Sequence, residues 1–211
     1  MPCRRTGDRT EAIRQSRVDG EPACGHLLGM RFIRGESAPR LPRRNRRSRR
    51  DILAGMANPA LSAIDRSGIP HRVIRHGPVR SLAEAATARG VEPADVIKTL
   101  VVRRGDDDFL FVLVPGDRTI SWPKLRTLLG VSRLSMPDAE MAREATGYER
   151  GTITPFGSAR SWPVIADERV SGRMITLGAG EHGVAVAANA DELVRVLHAQ
   201  VADVTDPEPP R

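Results

Sequence analysis

Cysteine is nearly missing from this chain: Cys3 and Cys24 are the two it has in 211 residues, and both precede residue 56. The remainder can form no disulfide, no thiolate nucleophile and no cysteine metal site, a pattern that fits a reducing compartment. No apolar run approaches the ~18 residues of a membrane span. Arg4-Arg5 is not followed by the apolar stretch of a secretory signal, so a cytoplasmic location and no membrane partner are expected. The common catalytic signatures are missing too: there is no P-loop, no G-x-G-x-x-G after a strand, and no G-x-S-x-G. Of the five histidines, His71 and His76 alone stand near each other, and five residues along a strand puts them on opposite faces. No Ser/His/Asp order is recognisable. Neither a metal nor a cofactor is expected.

Lysine is scarce as well. Among 33 Lys plus Arg, only Lys98 and Lys124 are lysines. Where nearly every cation is arginine, a lysine inside the apolar pattern Asp95-Val-Ile-Lys-Thr-Leu-Val-Val102 suggests a need for a compact point charge with three rotatable donors. The plainer alternative is a strand-edge lysine whose methylenes carry its charge to water.

The net charge of +7 is unevenly placed. Residues 1–55 hold 14 arginines against 6 acidic residues, whereas residues 56–211 hold 19 basic against 20 acidic, a balance of −1. The arginine block from Pro42 to Arg50 reads as a disordered extension. It could serve as a basic arm for RNA, but Met56-Ala-Asn-Pro resembles a natural start, and an upstream extension is the preferred reading. The expected organisation is an Arg-rich extension over 1–55, one domain over 56–204, and a frayed tail over 205–211.

Within the domain, Asn58-Pro59 and Gly68 bracket a helix, and Ser81-Leu-Ala-Glu84 is a capping box for another that ends at Gly90. Strands are expected over 70–76, from Lys98 to about Arg103, and over the apolar run Phe109–Val114. Gly105 and Asp106 to Asp108 form the hairpin loop between the last two. A helix over 123–129, a short strand over 131–136 and a helix over 137–146 follow. Three strands, over 162–166, 174–177 and 184–187, and a closing helix over 191–199 complete the reading. Strands and helices alternate without a regular βαβ rhythm, which points to an α+β fold with a mixed, mostly antiparallel sheet and flanking helices.

The chemistry converges on Thr146-Gly-Tyr-Glu-Arg-Gly-Thr-Ile-Thr-Pro-Phe-Gly157. Glycines let backbone approach a ligand, and threonine hydroxyls and free N–H groups can face a substrate oxygen. A helix stop at Gly147, then a short strand Gly151–Thr154 closed by Pro155 and Gly157, is the plainer alternative. Tyr148, Phe156 and Trp162 are enough aromatics to stack on a terminal base or two. With one lysine and such a loop, electrostatic stabilisation and positioning fit better than covalent catalysis.

Residues 58–204 resemble the YbaK/EbsC family of aminoacyl-tRNA deacylases, relatives of the editing domain inserted in bacterial prolyl-tRNA synthetases. The resemblance is carried by Val-Ile-Lys98-Thr-Leu-Val-Val, Val114-Pro-Gly-Asp117, Leu128-Leu-Gly130, the 146–157 loop and Pro163-Val-Ile-Ala-Asp167. It implies a barrel-like closure of the sheet, and that Lys98 and Gly151 line the pocket for the aminoacylated 3′ adenosine as its catalytic residues. His76, Tyr148, Thr152, Thr154, Pro155, Phe156, Gly178 and Gly180 are the matching candidates for substrate contact. The family's second loop glycine is Thr152 here, and His76 replaces a tyrosine typical of cysteine-specific members. Their Ser-Gly-Gly is Gly178-Ala-Gly180, and their strand aspartate is Ala185. The expected function is therefore trans-editing of a tRNA mischarged with cysteine, or with alanine, serine or threonine. Aminoacyl-tRNA is the expected substrate, with a prolyl-tRNA synthetase as a candidate partner. The rivals are a non-catalytic tRNA-end or nucleotide-binding module on the same fold, and a general RNA binder built on the arginine tail.

Overall fold

The computed structural model describes residues 58–209. The Arg-rich extension, Cys3, Cys24 and Met56 lie outside the described residues, as do the last two of the chain.

Short-range chemistry sets the helix limits. Asn58 accepts from the N–H groups of Ala60 and Leu61, and Pro59 opens α1 (Pro59–Ser67), which Gly68 closes at φ 72°. Ser81 accepts from Glu84 N–H to start α2 (Leu82–Arg89), while the Glu84 carboxylate reaches back to the Arg80 N–H. Pro123 sits in the first turn of α3 (Trp122–Leu129), and Asp138 accepts from Met141 N–H at the start of α4 (Ala139–Thr146). Asn189 caps α5 (Ala190–Val196) through Asp191 and Glu192.

Nine strands complete the α+β fold among the described residues: β1 (His71–Arg75), β2 (Val96–Gly105), β3 (Asp108–Pro115), β4 (Arg118–Ile120), β5 (Val164–Asp167), β6 (Met174–Gly178), β7 (Val184–Asn189), β8 (Gln200–Ala202) and β9 (Thr205–Pro207). Seven form one sheet in the order β1-β7-β6-β2-β3-β5-β8, and β4 pairs with β9 in a small second sheet. The ladders β1–β7, β6–β7, β2–β3 and β4–β9 are antiparallel; β2–β6, β3–β5 and β5–β8 are parallel. The sheet is thus mixed throughout.

β3 is the central element, and its continuous apolar run has a physical cause. Phe109, Phe111 and Leu113 enter the larger core, with Ile64 of α1, Ala142 and Ala145 of α4 and Leu193 of α5. Leu110, Val112 and Val114 enter a second core with Ile120, Leu125 of α3 and Val204. A strand covered on both faces has no polar positions to alternate. At about 25 cal/mol per Å² of apolar surface removed from water, each fully buried Leu or Val contributes on the order of 1.5–3 kcal/mol.

Several expectations are corrected. Residues 131–136 form no strand; Ser135 alone exchanges backbone hydrogen bonds with Arg103, at 2.8 and 3.1 Å, before Pro137 turns the chain. Gly151–Thr154 is turn and coil rather than strand, because Gly151 takes φ 92° and the Thr152 N–H closes back on the Glu149 carbonyl at 3.0 Å. Thr205–Pro207 does not fray: it pairs as β9 against β4. The closing helix stops at Val196, and β8 takes up the chain from Gln200.

Candidate functional site

A cavity of about 960 Å³ opens between the start of β2, α2, the N-terminal end of α4 and the turns around Gly151 and Glu181–Gly183. It is at the large end of the range for small-molecule sites. Of the sequence-predicted residues, His76, Lys98, Gly151 and Gly178 line it.

The others are held in the fold beside it. Tyr148 is 5% exposed and its hydroxyl donates to the Phe156 carbonyl at 2.7 Å; Phe156 is itself core. Burial pushes the Tyr148 phenol up to about 12. These rings stabilise the 146–157 loop and do not offer a stacking face. Thr152 and Thr154 are 2% and 1% exposed. The Thr152 hydroxyl donates to the Glu149 carbonyl at 2.9 Å, and its own carbonyl accepts from Gly180 N–H at 3.0 Å. Gly180 is needed for packing, since a Cβ there would stand 2.8 Å from Tyr148 Cε1. Pro155 lies outside the cavity wall, in the bend between Thr154 and Phe156.

Gly151 is different. It lies beside Arg150 and Ile153 in the wall, and an added Cβ would meet nothing nearer than His182 Cε1 at 3.6 Å. The space around it is open to a ligand. His182, exposed, stands 3.6 Å from the Glu149 carboxylate and shares this part of the wall.

Lys98 is more committed than the sequence suggests. Its ammonium donates to the Gly116 carbonyl at 3.0 Å, to the Arg118 carbonyl, and to Glu208 Oε2 at 3.2 Å. Three donors meet three acceptors. Glu208 follows β9, so the predicted frayed tail is what Lys98 holds. Lys124, the other lysine, grips the same segment through Asp203, Asp206 and the Thr205 carbonyl. Asp167, fully buried, completes the clasp by accepting from Val204 N–H at 3.2 Å and the Thr205 hydroxyl at 2.8 Å.

Sequence reasoning missed three residues of the wall. Thr99 points a buried hydroxyl that has no hydrogen-bond partner among the described residues. Arg89, in the last turn of α2, reaches His76 Nε2 from its Nε at 3.4 Å and the Thr176 hydroxyl from Nη1 at 3.5 Å. Arginine only donates, so His76 Nε2 accepts, and the Nδ1–H of His76 donates to the Gly77 carbonyl at 2.8 Å. Arg150 neighbours Gly151 in the loop. Nothing in local periodicity marks these residues; they meet only through the fold. The wall offers no assembled nucleophile and base: the Ser81 hydroxyl, its nearest serine, is occupied as the cap of α2. Among the described residues no group of His, Cys, Asp and Glu is placed to hold a metal ion, and no helix is long and apolar enough to cross a membrane.

Residues 76–196 match the model of the aminoacyl-tRNA editing domain family. The EbsC protein of Enterococcus faecalis, provisionally named a Cys-tRNA(Pro)/Cys-tRNA(Cys) deacylase, is 25% identical over 129 residues, covering 61% of this chain and 79% of that protein. The proline–tRNA ligase of Heliobacterium modesticaldum is 38% identical over 91 residues, which are 43% of this chain but 16% of the ligase. The chain therefore spans only a small part of such ligases. A solved structure described as a candidate trans-editing enzyme for prolyl tRNA synthetase superposes with a TM-score of 0.64 at 28% identity, covering 69% of this chain and 93% of the other. With the family model spanning more than half its length, the chain belongs to the aminoacyl-tRNA editing domain family.

Proposed function

We propose that this protein is a trans-editing deacylase, hydrolysing the ester that joins a wrong amino acid to the 3′ end of a tRNA. The observation that carries the reading is the cavity around Gly151, open to a ligand within the matched family region. The names of EbsC and of the superposed structure support it. Gly151 would bring its backbone against the ester carbonyl, where an oriented N–H stabilises the developing oxyanion. Lys98 would supply positive charge at the wall once substrate replaces Glu208, the acceptor in its set that comes from the chain terminus.

With no assembled nucleophile in the wall, the attacking group is a held water or, for a cysteinyl ester, the substrate's own thiol. The fold then contributes positioning and electrostatics. Cysteine, alanine, serine and threonine are the candidate amino acids, and a prolyl-tRNA synthetase the candidate partner. The editing unit extends beyond residue 204 to include β9 and Glu208. One observation favours the rival non-catalytic module: every Lys98 donor is already satisfied by the fold. A panel of tRNAs mischarged with the four amino acids separates the two. Turnover of at least one is expected; binding without turnover on any would favour the module.

A further inference from the structure

Although residues 56–211 are close to neutral, the cavity wall is not. Arg80, Arg89 and Arg150 line it with Lys98, the last paired to Glu208, against Asp138 and Glu181. Arg80 and Arg89 stand at the two ends of α2, and the fold brings the distant Arg150 to the same wall. Arg89 is the most unusual of them. A guanidinium partly withdrawn from water, as Arg89 is, ordinarily recovers its hydration from a carboxylate or several carbonyls. Arg89 has instead an imidazole nitrogen and a hydroxyl, at 3.4 and 3.5 Å, both at the outer limit of hydrogen bonding. Asp95, whose carbonyl accepts from the same Thr176 hydroxyl, has its carboxylate claimed by Arg173 at 2.6 Å. Among the described residues no carboxylate lies within ion-pair distance of Arg89, and burial pushes its pKa below the ordinary arginine value without an offsetting charge.

The two protein contacts also orient the group. They engage Nε–H and one Nη1 hydrogen, which lie on opposite edges of the planar group, so His76 and Thr176 hold the guanidinium from both sides and leave Nη2 and the second Nη1 hydrogen. The Nη2 end of the fork is left for another acceptor, and bidentate recognition of an oxyanion is what that end does best.

Resting on the deacylase reading, we propose that Arg89, braced by His76 and Thr176, is an anion-binding arm for the phosphodiester on the 5′ side of the nucleotide whose 3′ ester enters the cavity. Arg80 and Arg150 add longer-range attraction for the same backbone. The carboxylate of a released amino acid would suit the same fork, so the experiment separates the two sources.

Full-length protein is titrated calorimetrically with adenosine, with its 5′-(methyl phosphate) diester, and with free alanine. The diester is expected to bind about tenfold more tightly than adenosine, the scale of one charge-assisted hydrogen-bonded contact. Arg89→Gln should erase that preference, and Arg89→Lys should keep part of it. The wild-type preference should shrink with added salt, a readout that needs no variant should Arg89→Gln fail to fold. Equal affinity for adenosine and diester overturns the assignment, as does no binding of either up to millimolar concentration. Alanine binding that depends on Arg89, without a diester preference, overturns it in favour of a product carboxylate. Absence of deacylation with the diester preference intact counts against the deacylase reading alone; turnover without the preference counts against Arg89 alone.

Discussion

Three glycines of the site region separate packing from chemistry at the level of single residues. A Cβ on Gly157 would lie 2.4 Å from the Pro59 carbonyl oxygen, and one on Gly180 would lie 2.8 Å from Tyr148 Cε1. Gly157→Ala and Gly180→Ala should therefore unfold at clearly lower temperature than the wild type. Gly151→Ala meets no such contact; only its φ of 92° is unfavourable, a cost of about 1–2 kcal/mol. It should fold, and thermal scans of the three variants side by side check the ordering. Tyr148 offers a second test, because it is the only tyrosine in the chain. Its phenol is raised by burial to about 12, so the folded state holds the proton more tightly than the unfolded state does. That stability is fully present below about pH 10 and is lost as pH rises toward the folded value. Ultraviolet titration should show phenolate forming near pH 12 in the folded protein and near 10 in denaturant. A folded midpoint near 10 would mean that the ring is solvated. Of the residues singled out in the sequence, Gly151 reached the cavity wall because a glycine's use of space is local. Tyr148 and Phe156 did not, because whether a ring faces a ligand or a core depends on what packs over it.

Elements with strong local signals were legible: the Asn58 and Ser81 starts and the Phe109–Val114 run all lie where the sequence points. Three-residue strands were not. β4, β8 and β9 are too short to show a period and exist through their partners. The segment from Asp203 to Glu208 is the clearest case, since a Pro-rich end reads as frayed until Lys98, Lys124 and Asp167 are seen to hold it. Lys98 takes the Gly116 and Arg118 carbonyls with Glu208, and Lys124 takes the Thr205 carbonyl with Asp203 and Asp206, tasks suited to a compact ammonium with three donors. Asp167→Ala would leave the Val204 N–H and the Thr205 hydroxyl without their acceptor in a buried setting. It should cost about 3 kcal/mol, read from denaturant midpoints. On the role proposed for Lys98, Glu208→Gln should weaken the contact that substrate has to displace, raising kcat/KM a few-fold with little change in stability. A drop in kcat/KM would mean that Glu208 holds Lys98 in its working position instead.

For the whole molecule, charge arithmetic along the chain and charge in space lead to different expectations. A balance of −1 over 56–211 suggests weak attraction for tRNA, yet the fold concentrates Arg80, Arg89 and Arg150 at one cavity. A neutral domain with a locally cationic mouth suits recognition of a nucleic-acid end better than of its length. Its affinity for a whole tRNA should fall with salt by a slope reflecting few phosphates. The measurement that bears most directly on the account is single-turnover release of amino acid from tRNAs charged with cysteine, alanine, serine and threonine, by wild type and Gly151→Ala in parallel. Accelerated hydrolysis of at least one ester by the wild type is expected. A loss of up to about 10²-fold is expected in the variant, which keeps its fold and its N–H but whose added Cβ stands between the ester and that donor. No acceleration on any of the four, or equal rates for the two proteins, would contradict the account.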